Sequence, residues 1–110
     1  MSTLSTHILD ISTGRPAAGV SVHLEQKTGG QYALMARQLT DANGRIAAFV
    51  SGVLPPGQYR LIAQTGAWFS GTGRETVFVS AQIEVMIGDD AHYHLPFLIA
   101  PGGWSTYRGS

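Results

Sequence analysis

Apolar and polar residues alternate with a period of two along most of this chain, and no long stretch has a helical period. Val20, Val22 and Leu24 alternate with Ser21, His23 and Glu25. A Gly29-Gly30 turn then leads into residues 32–38, which predicts a β-hairpin. Tyr59, Leu61 and Ala63 alternate with Arg60, Ile62 and Gln64. Val77, Val79, Ala81, Ile83, Val85 and Ile87 alternate with more polar neighbours, as in a half-buried strand. Turn-forming residues cluster at 13–16, 41–44, 55–57, 88–90 and 101–103. Counting between the turns gives about seven or eight short strands, the signature of an antiparallel β-sandwich. One short helix is expected around residues 66–72, with Trp68 and Phe69 holding it to the sheets.

Composition narrows the classes. The 110 residues make a single domain, 1–110, with no linker, repeat or low-complexity segment. Such a domain buries roughly two-thirds of its unfolded surface without staples. Seven basic and seven acidic residues cancel, and no Lys/Arg cluster exists to neutralise phosphates. Nucleic acid and anionic membrane are therefore not expected partners; a small neutral ligand suits the chain better. Cysteine is absent, so there is neither a disulfide framework nor a thiol nucleophile. No segment approaches the ~18 apolar residues of a membrane span, and a cytoplasmic protein is expected.

Several segments narrow the fold further. They are His7-Ile8-Leu9-Asp10, the run from Thr13-Gly14-Arg15-Pro16 to Val20-Ser21-Val22, Thr40-Asp41-Ala42-Asn43-Gly44-Arg45, and Pro56-Gly57-Gln58-Tyr59. Together they resemble prealbumin-like sandwiches. Pro16 rigidifies the turn out of the first strand, and the Asp-x-Asn-Gly segment makes a side-chain-capped turn that needs positive φ at Gly44. Adding His7, Arg45, His92-Tyr93-His94-Leu95-Pro96 and the final Tyr107-Arg108-Gly109-Ser110, the whole chain resembles the transthyretin-related family of 5-hydroxyisourate hydrolases. The terminal tetrapeptide is the specific part, because it separates the family's hydrolases from the hormone carrier. The resemblance implies a transthyretin-like fold and a homotetramer built as a dimer of dimers, with active sites in a channel where the dimers meet. It also implies ring opening of 5-hydroxyisourate by water in urate degradation, without metal or other cofactor.

The residues supply the chemistry such a reaction needs. Hydrolysing a lactam requires a base for water, donors for a carbonyl gaining charge, and groups that orient a planar ring. His7, Arg45, His94 and Ser110 are the catalytic candidates; His7, Arg45, Tyr107, Arg108 and Gly109 are the substrate-binding candidates. Strand parity puts His92, His94, Pro96 and Leu98 on one face and Tyr93, Leu95, Phe97 and Ile99 on the core face. His94 is then the favoured base or relay, with His92 at the strand mouth. The terminal strand is expected to place Tyr107 over the substrate, with Arg108 and Ser110 beside the ring. A competing reading is a metal site, since His92-x-His94 sets two imidazoles about 7 Å apart along a strand and His7 could add a third. A third reading is a binding module without catalysis, either a small-ligand carrier or an interaction domain. His23 and the Asp89-Asp90 turn are read as plain solvated surface, and Trp104 as cover for a sheet edge or subunit contact. Against the family pattern, Trp68 stands where Tyr is common, Val79-Ser80 replaces a Pro-Glu pair, and Gly102 and Gly103 replace aromatic residues.

Overall fold

The computed structural model describes residues 1–110 as two packed β-sheets with one helix. In chain order the elements are β1 (Thr3–Asp10), β2 (Arg15–Pro16), β3 (Ser21–Thr28), β4 (Gln31–Leu39), β5 (Arg45–Ile46), β6 (Gly57–Ala63), α1 (Thr65–Gly71), β7 (Ala81–Ile87), β8 (His92–His94), β9 (Phe97–Ala100) and β10 (Gly103–Thr106). One sheet runs β4-β3-β6-β7; the other runs β10-β9-β1-β2, with β5 and β8 also paired to β1. The β3–β4 hairpin turns at Gly29 and Gly30, both with positive φ, as the alternation and the Gly-Gly pair require. The helix lies where the chain leaves β6, and its Phe69 is buried while the Trp68 indole donates to the Ala18 carbonyl at 2.8 Å. Trp104, on the edge strand β10, leans on Phe97 with ring centroids 6.1 Å apart.

Three details depart from the pattern-based expectation. The sandwich is mixed, because β8 and β9 run parallel to β1. Alternation and tight turns report hairpins, and a parallel pair between segments some ninety residues apart leaves no local trace. The second difference is in strand number. The strand carrying the two histidines is split into β8 and β9 at Leu95-Pro96, where Pro96 has no N–H to give to a ladder. With the two-residue strands β2 and β5 this raises the count above eight. The same break turns Pro96 inward, so it is buried rather than outward beside Leu98.

The third difference lies before β7. Val77 and Val79, whose alternation predicted a strand, are 87% and 81% exposed, and β7 begins only at Ala81. Residues 77–79 instead cross the start of α1, where Gly66 N–H donates to the Val79 carbonyl at 3.1 Å. A Cβ at Gly66 would meet that carbonyl oxygen at 2.7 Å, so the crossing depends on glycine there.

Burial follows the period of β1. Leu4, Thr6, Ile8 and Asp10 point into the sandwich among Val20, Val22, Leu24, Tyr59, Leu61, Phe97 and Ile99. The one carboxylate in that set is compensated. Asp10 accepts from Ser12 N–H at 3.0 Å, from the Ser12 hydroxyl and from Arg74 at 2.7 Å. The Arg74 guanidinium also lies over Phe69, 4.9 Å from its ring centre, so one cation fastens the end of β1 to the helix. Burial alone would push the Asp10 carboxyl up, but the Ser12 and Arg74 bonds outweigh it and hold it below 3.8.

A carboxylate held low stabilises the fold above its unfolded value and loses that contribution as pH falls through the native one. Replacing Arg74 with alanine should therefore cost about 1.5–3 kcal/mol near neutrality, the range for a hydrogen bond to a charged group. It should also flatten the acid limb of stability below pH 3.8. Urea unfolding midpoints across pH check both; an unchanged acid limb would show that Arg74 does not hold Asp10.

Candidate active site

Because Leu4, Thr6 and Ile8 face the core, Thr3, Ser5 and His7 face the other side of the sheet. Their partners share that face: Thr3 lies opposite His92, Ser5 opposite His94, and His7 opposite Arg45. Two separate pairings on one strand thus bring together residues from three parts of the chain.

Arg45 owes its position to the turn before it. The Asp41 carboxylate accepts from the backbone N–H of Asn43 at 2.8 Å and of Arg45 at 3.0 Å, and Gly44 turns with φ +75°. A side chain at Gly44 is excluded on two grounds, that φ and the Ile8 carbonyl oxygen 2.5 Å from where a Cβ would stand. The two backbone bonds, Arg45 first and then Asn43, hold the Asp41 carboxyl below 3.8. The turn therefore stays charged and closed at neutral pH, with Arg45 delivered to the edge of β1.

The resulting recess holds about 320 Å³, at the small end for a ligand site. Arg45, His92, His94 and Ser110 line it, with Ser5 and Thr6 from β1 and Ile46 and Ala47 beyond Arg45. A recess of similar size, about 330 Å³ beside α1, is bounded by Gly19, Ser21, Gln64 and Trp68 among others and has no ionisable side chain. Of these two recesses, only the first carries ionisable side chains.

Within that recess the Ser5 hydroxyl lies 2.7 Å from His94 Nδ1 and 3.0 Å from His92 Nε2. His92 Nδ1 in turn contacts the Thr3 hydroxyl. Both nitrogens of His92 are thus engaged by hydroxyls, while His94 is bonded through Nδ1 and presents Nε2. Burial, then the charges of Arg45, His7 and His92, push the His94 pKa below 6.5. The ring is consequently neutral at physiological pH, the state a proton acceptor needs. No three His, Asp or Glu side chains converge as a ligand set, so His7, His92 and His94 do not form the metal triad considered from spacing.

The terminal segment divides. Its strand ends at Thr106, short of Tyr107. Gly109 N–H donates to the His94 carbonyl at 2.8 Å, which carries Ser110 to the recess. A Cβ on Gly109 would stand 2.6 Å from His94 Cδ2, so this residue serves the site by being small. Arg108 and Tyr107 are not brought into the recess. The Arg108 guanidinium pairs with Asp90 at 2.7 Å and lies 4.4 Å from the Tyr93 ring centre, and Tyr107 is exposed. Asp90, read from sequence as a plain solvated turn, is thereby the anchor of the terminal segment; its carbonyl also takes the Ser2 hydroxyl. Ser5 and Thr3 were missed as site residues. The signal was present, because both share strand parity with His7.

Known proteins resemble this chain throughout its length. The HIUase/Transthyretin family matches over residues 4–109. The 5-hydroxyisourate hydrolase of Salmonella typhimurium is 43% identical over 109 residues, covering 97% of this chain and 80% of that protein. The solved 5-hydroxyisourate hydrolase of Klebsiella pneumoniae superposes with a TM-score of 0.93 at 61% identity, covering 100% of both chains. Transthyretin from Sparus aurata superposes with a TM-score of 0.91 at 29% identity, covering 96% of this chain and 95% of that one.

Two measurements check the site's geometry. In an NMR titration the His94 ring should change protonation below pH 6.5, and Arg45→Gln should move that midpoint upward by removing a nearby positive charge. For stability the sign is that a depressed histidine contributes fully above 6.5 and loses that contribution as pH falls. An Arg45 variant with the midpoint unmoved would refute the electrostatic account. Separately, Gly109→Ala should displace the His94 ring or the terminal segment, visible as shifted His94 resonances with little change in melting temperature. Unchanged resonances would mean that Gly109 does not contact the ring.

Proposed function

The chain belongs to the HIUase/Transthyretin family, and on that premise we infer that the protein is a 5-hydroxyisourate hydrolase acting in urate degradation. Its product is 2-oxo-4-hydroxy-4-carboxy-5-ureidoimidazoline. The observation that carries the reading at the level of chemistry is the His94 imidazole, held through Nδ1 by Ser5 in a recess shared with Arg45.

In the assignment proposed, a water held between His94 Nε2 and the substrate's lactam carbonyl gives its proton to Nε2 as its oxygen bonds to the carbonyl carbon. The carbonyl oxygen takes the displaced electron pair, and the Arg45 guanidinium, a planar fork of donors, stabilises that charge. When the C–N bond breaks, the proton on His94 passes to the leaving nitrogen, leaving a carboxyl group and a ureido group. Ser110, which lines the recess, orients the ring, and His7, outside the lining but paired to Arg45 across β1 and β5, acts beside it. Gly109 contributes by admitting Ser110, and Arg108 fastens the terminal segment through Asp90 and Tyr93. In this reading the protein is a cytoplasmic homotetramer, a dimer of dimers. Leu9 and Leu98, paired on the face that carries His7, supply apolar surface suited to a subunit contact.

The likeness to transthyretin keeps a carrier as the alternative. A carrier needs a largely apolar channel, whereas Arg45, His92, His94, Ser5, Thr6 and Ser110 make this recess polar.

One experiment separates these readings and tests the base. Ultraviolet decay of freshly made 5-hydroxyisourate should be accelerated by the size-exclusion fraction corresponding to the tetramer. His94→Asn should lower turnover on the order of a hundredfold or more with the fold intact. Acceleration by none of the fractions would favour the carrier, and near wild-type turnover in His94→Asn would move the base role to His7.

A further inference from the structure

Four side chains beside the recess form an unbroken series: His94, Ser5, His92 and Thr3. His94 Nδ1 meets Ser5 Oγ at 2.7 Å, Ser5 Oγ meets His92 Nε2 at 3.0 Å, and His92 Nδ1 meets Thr3 Oγ1. Thr3 Oγ1 donates to the Ala91 carbonyl at 3.4 Å. The series is built by register, since Thr3 and Ser5 lie directly opposite His92 and His94 in the parallel β1–β8 pair.

The far end gives the series a direction. A carbonyl oxygen only accepts, so the single hydroxyl proton of Thr3 goes to Ala91, and Thr3 Oγ1 then accepts from His92 Nδ1–H. A neutral His92 protonated on Nδ1 has a lone pair on Nε2, which accepts the Ser5 hydroxyl proton. Ser5 Oγ, having given its only proton, accepts from His94 Nδ1–H. His94 is left with its lone pair on Nε2, the nitrogen not engaged by Ser5. Run in the opposite direction, the series would put the proton on His94 Nε2 and leave the Ala91 carbonyl without its side-chain donor. The forward direction makes four hydrogen bonds and the reverse makes three.

We propose that Thr3, His92 and Ser5 are positioning residues that fix His94 in the Nδ1–H tautomer, so that Nε2 is available to take a proton from water. The inference rests on His94 being the base of the hydrolase read above. It assigns His92 a role distinct from catalysis and from metal binding, and it gives a purpose to hydroxyls on a strand face that packing alone would not require. When His94 Nε2 takes a proton, Ser5 Oγ holds the Nδ1–H on the other side, so the imidazolium does not rotate before giving the proton to the leaving nitrogen. The charged or titratable groups near His94 are His92 on its own strand, His7 on β1 and Arg45 on β5. All three disfavour a second proton on the ring, so fixing the tautomer rather than adding charge is what remains for the hydroxyls to do.

The test reads the tautomer directly. In protein labelled with ¹⁵N-histidine, at a pH above the His94 midpoint, His94 should show a protonated Nδ1 and a bare Nε2, with the same pattern at His92. Ser5→Ala should shift His94 toward a mixture of tautomers and lower kcat roughly ten- to a hundredfold, part of the contribution of a general base, while KM stays within about twofold. Ser5→Thr, which keeps the hydroxyl, should restore both the tautomer and most of kcat. His92→Gln should lower kcat less than Ser5→Ala, since an amide can still accept from Ser5. A wild-type spectrum with the proton on His94 Nε2 would overturn the proposal, as would a Ser5→Ala variant with unchanged tautomer and kcat. If 5-hydroxyisourate were not the substrate, the spectra of wild type and Ser5→Ala would still decide the tautomer, so the two readings fail separately.

Discussion

The register of β1 is the constraint on which the rest depends. This strand is hydrogen-bonded to β2, β5, β8 and β9, and alternate residues serve opposite ends. Leu4, Thr6, Ile8 and Asp10 close the sandwich from within, while Thr3, Ser5 and His7 lie opposite His92, His94 and Arg45 on the other face. A slip of one residue would exchange the two sets, burying the histidine and wetting the core. The free energy that holds Ile8 against Phe97 and Leu24 is therefore also what sets Ser5 opposite His94 and His7 opposite Arg45. Stability and site geometry are not separable in this strand, and variants on its core face should be expected to alter both.

A chain with no net charge still sets up an uneven electrostatic environment around His94. Arg45 and His92 share the recess with His94, and His7 lies opposite Arg45 on β1, while the carboxylates are used elsewhere. Asp10 is bound to Arg74, Asp41 closes the turn before Arg45, and Asp90 anchors Arg108. No acidic side chain lines the recess to stabilise an imidazolium. In the hydrolase reading proposed above, this arrangement suits a ring that takes a proton from a reacting water and returns it readily. A histidine paired with a carboxylate would be the stronger base but would hold the proton longer.

The terminal segment is fastened at two points of different character. Arg108 rests on Tyr93 and pairs with Asp90 near the surface, where screening makes an ion pair worth little, on the order of 1 kcal/mol or less. Gly109 makes a backbone bond to His94 and fits only because it has no side chain. The second contact is the specific one, since it couples the position of Ser110 to that of the histidine. Residues that look like one recognition motif in sequence thus divide into a latch, a spacer and a lining group.

By itself the sequence determined what local chemistry determines. Period-two alternation marked the hairpin at Gly29-Gly30 and the strands around Val22 and Leu61; Gly44 and Asp41 specified their turn; and His7, Arg45, His94 and Ser110 were legible as candidates from residue type and motif. Alternation misled at Val77 and Val79, because an apolar side chain carries the same pattern whether or not a partner strand lies beside it. Tertiary structure alone decided the parallel pairing of β1 with β8 and β9, the inward turn of Pro96, the diversion of Arg108 to Asp90, and the contact of Ser5 with both His92 and His94. Each of these joins residues far apart in the chain. Their energy depends on distances of a few ångströms that pairing and packing fix only once both sheets have formed, and no periodicity in one segment encodes them.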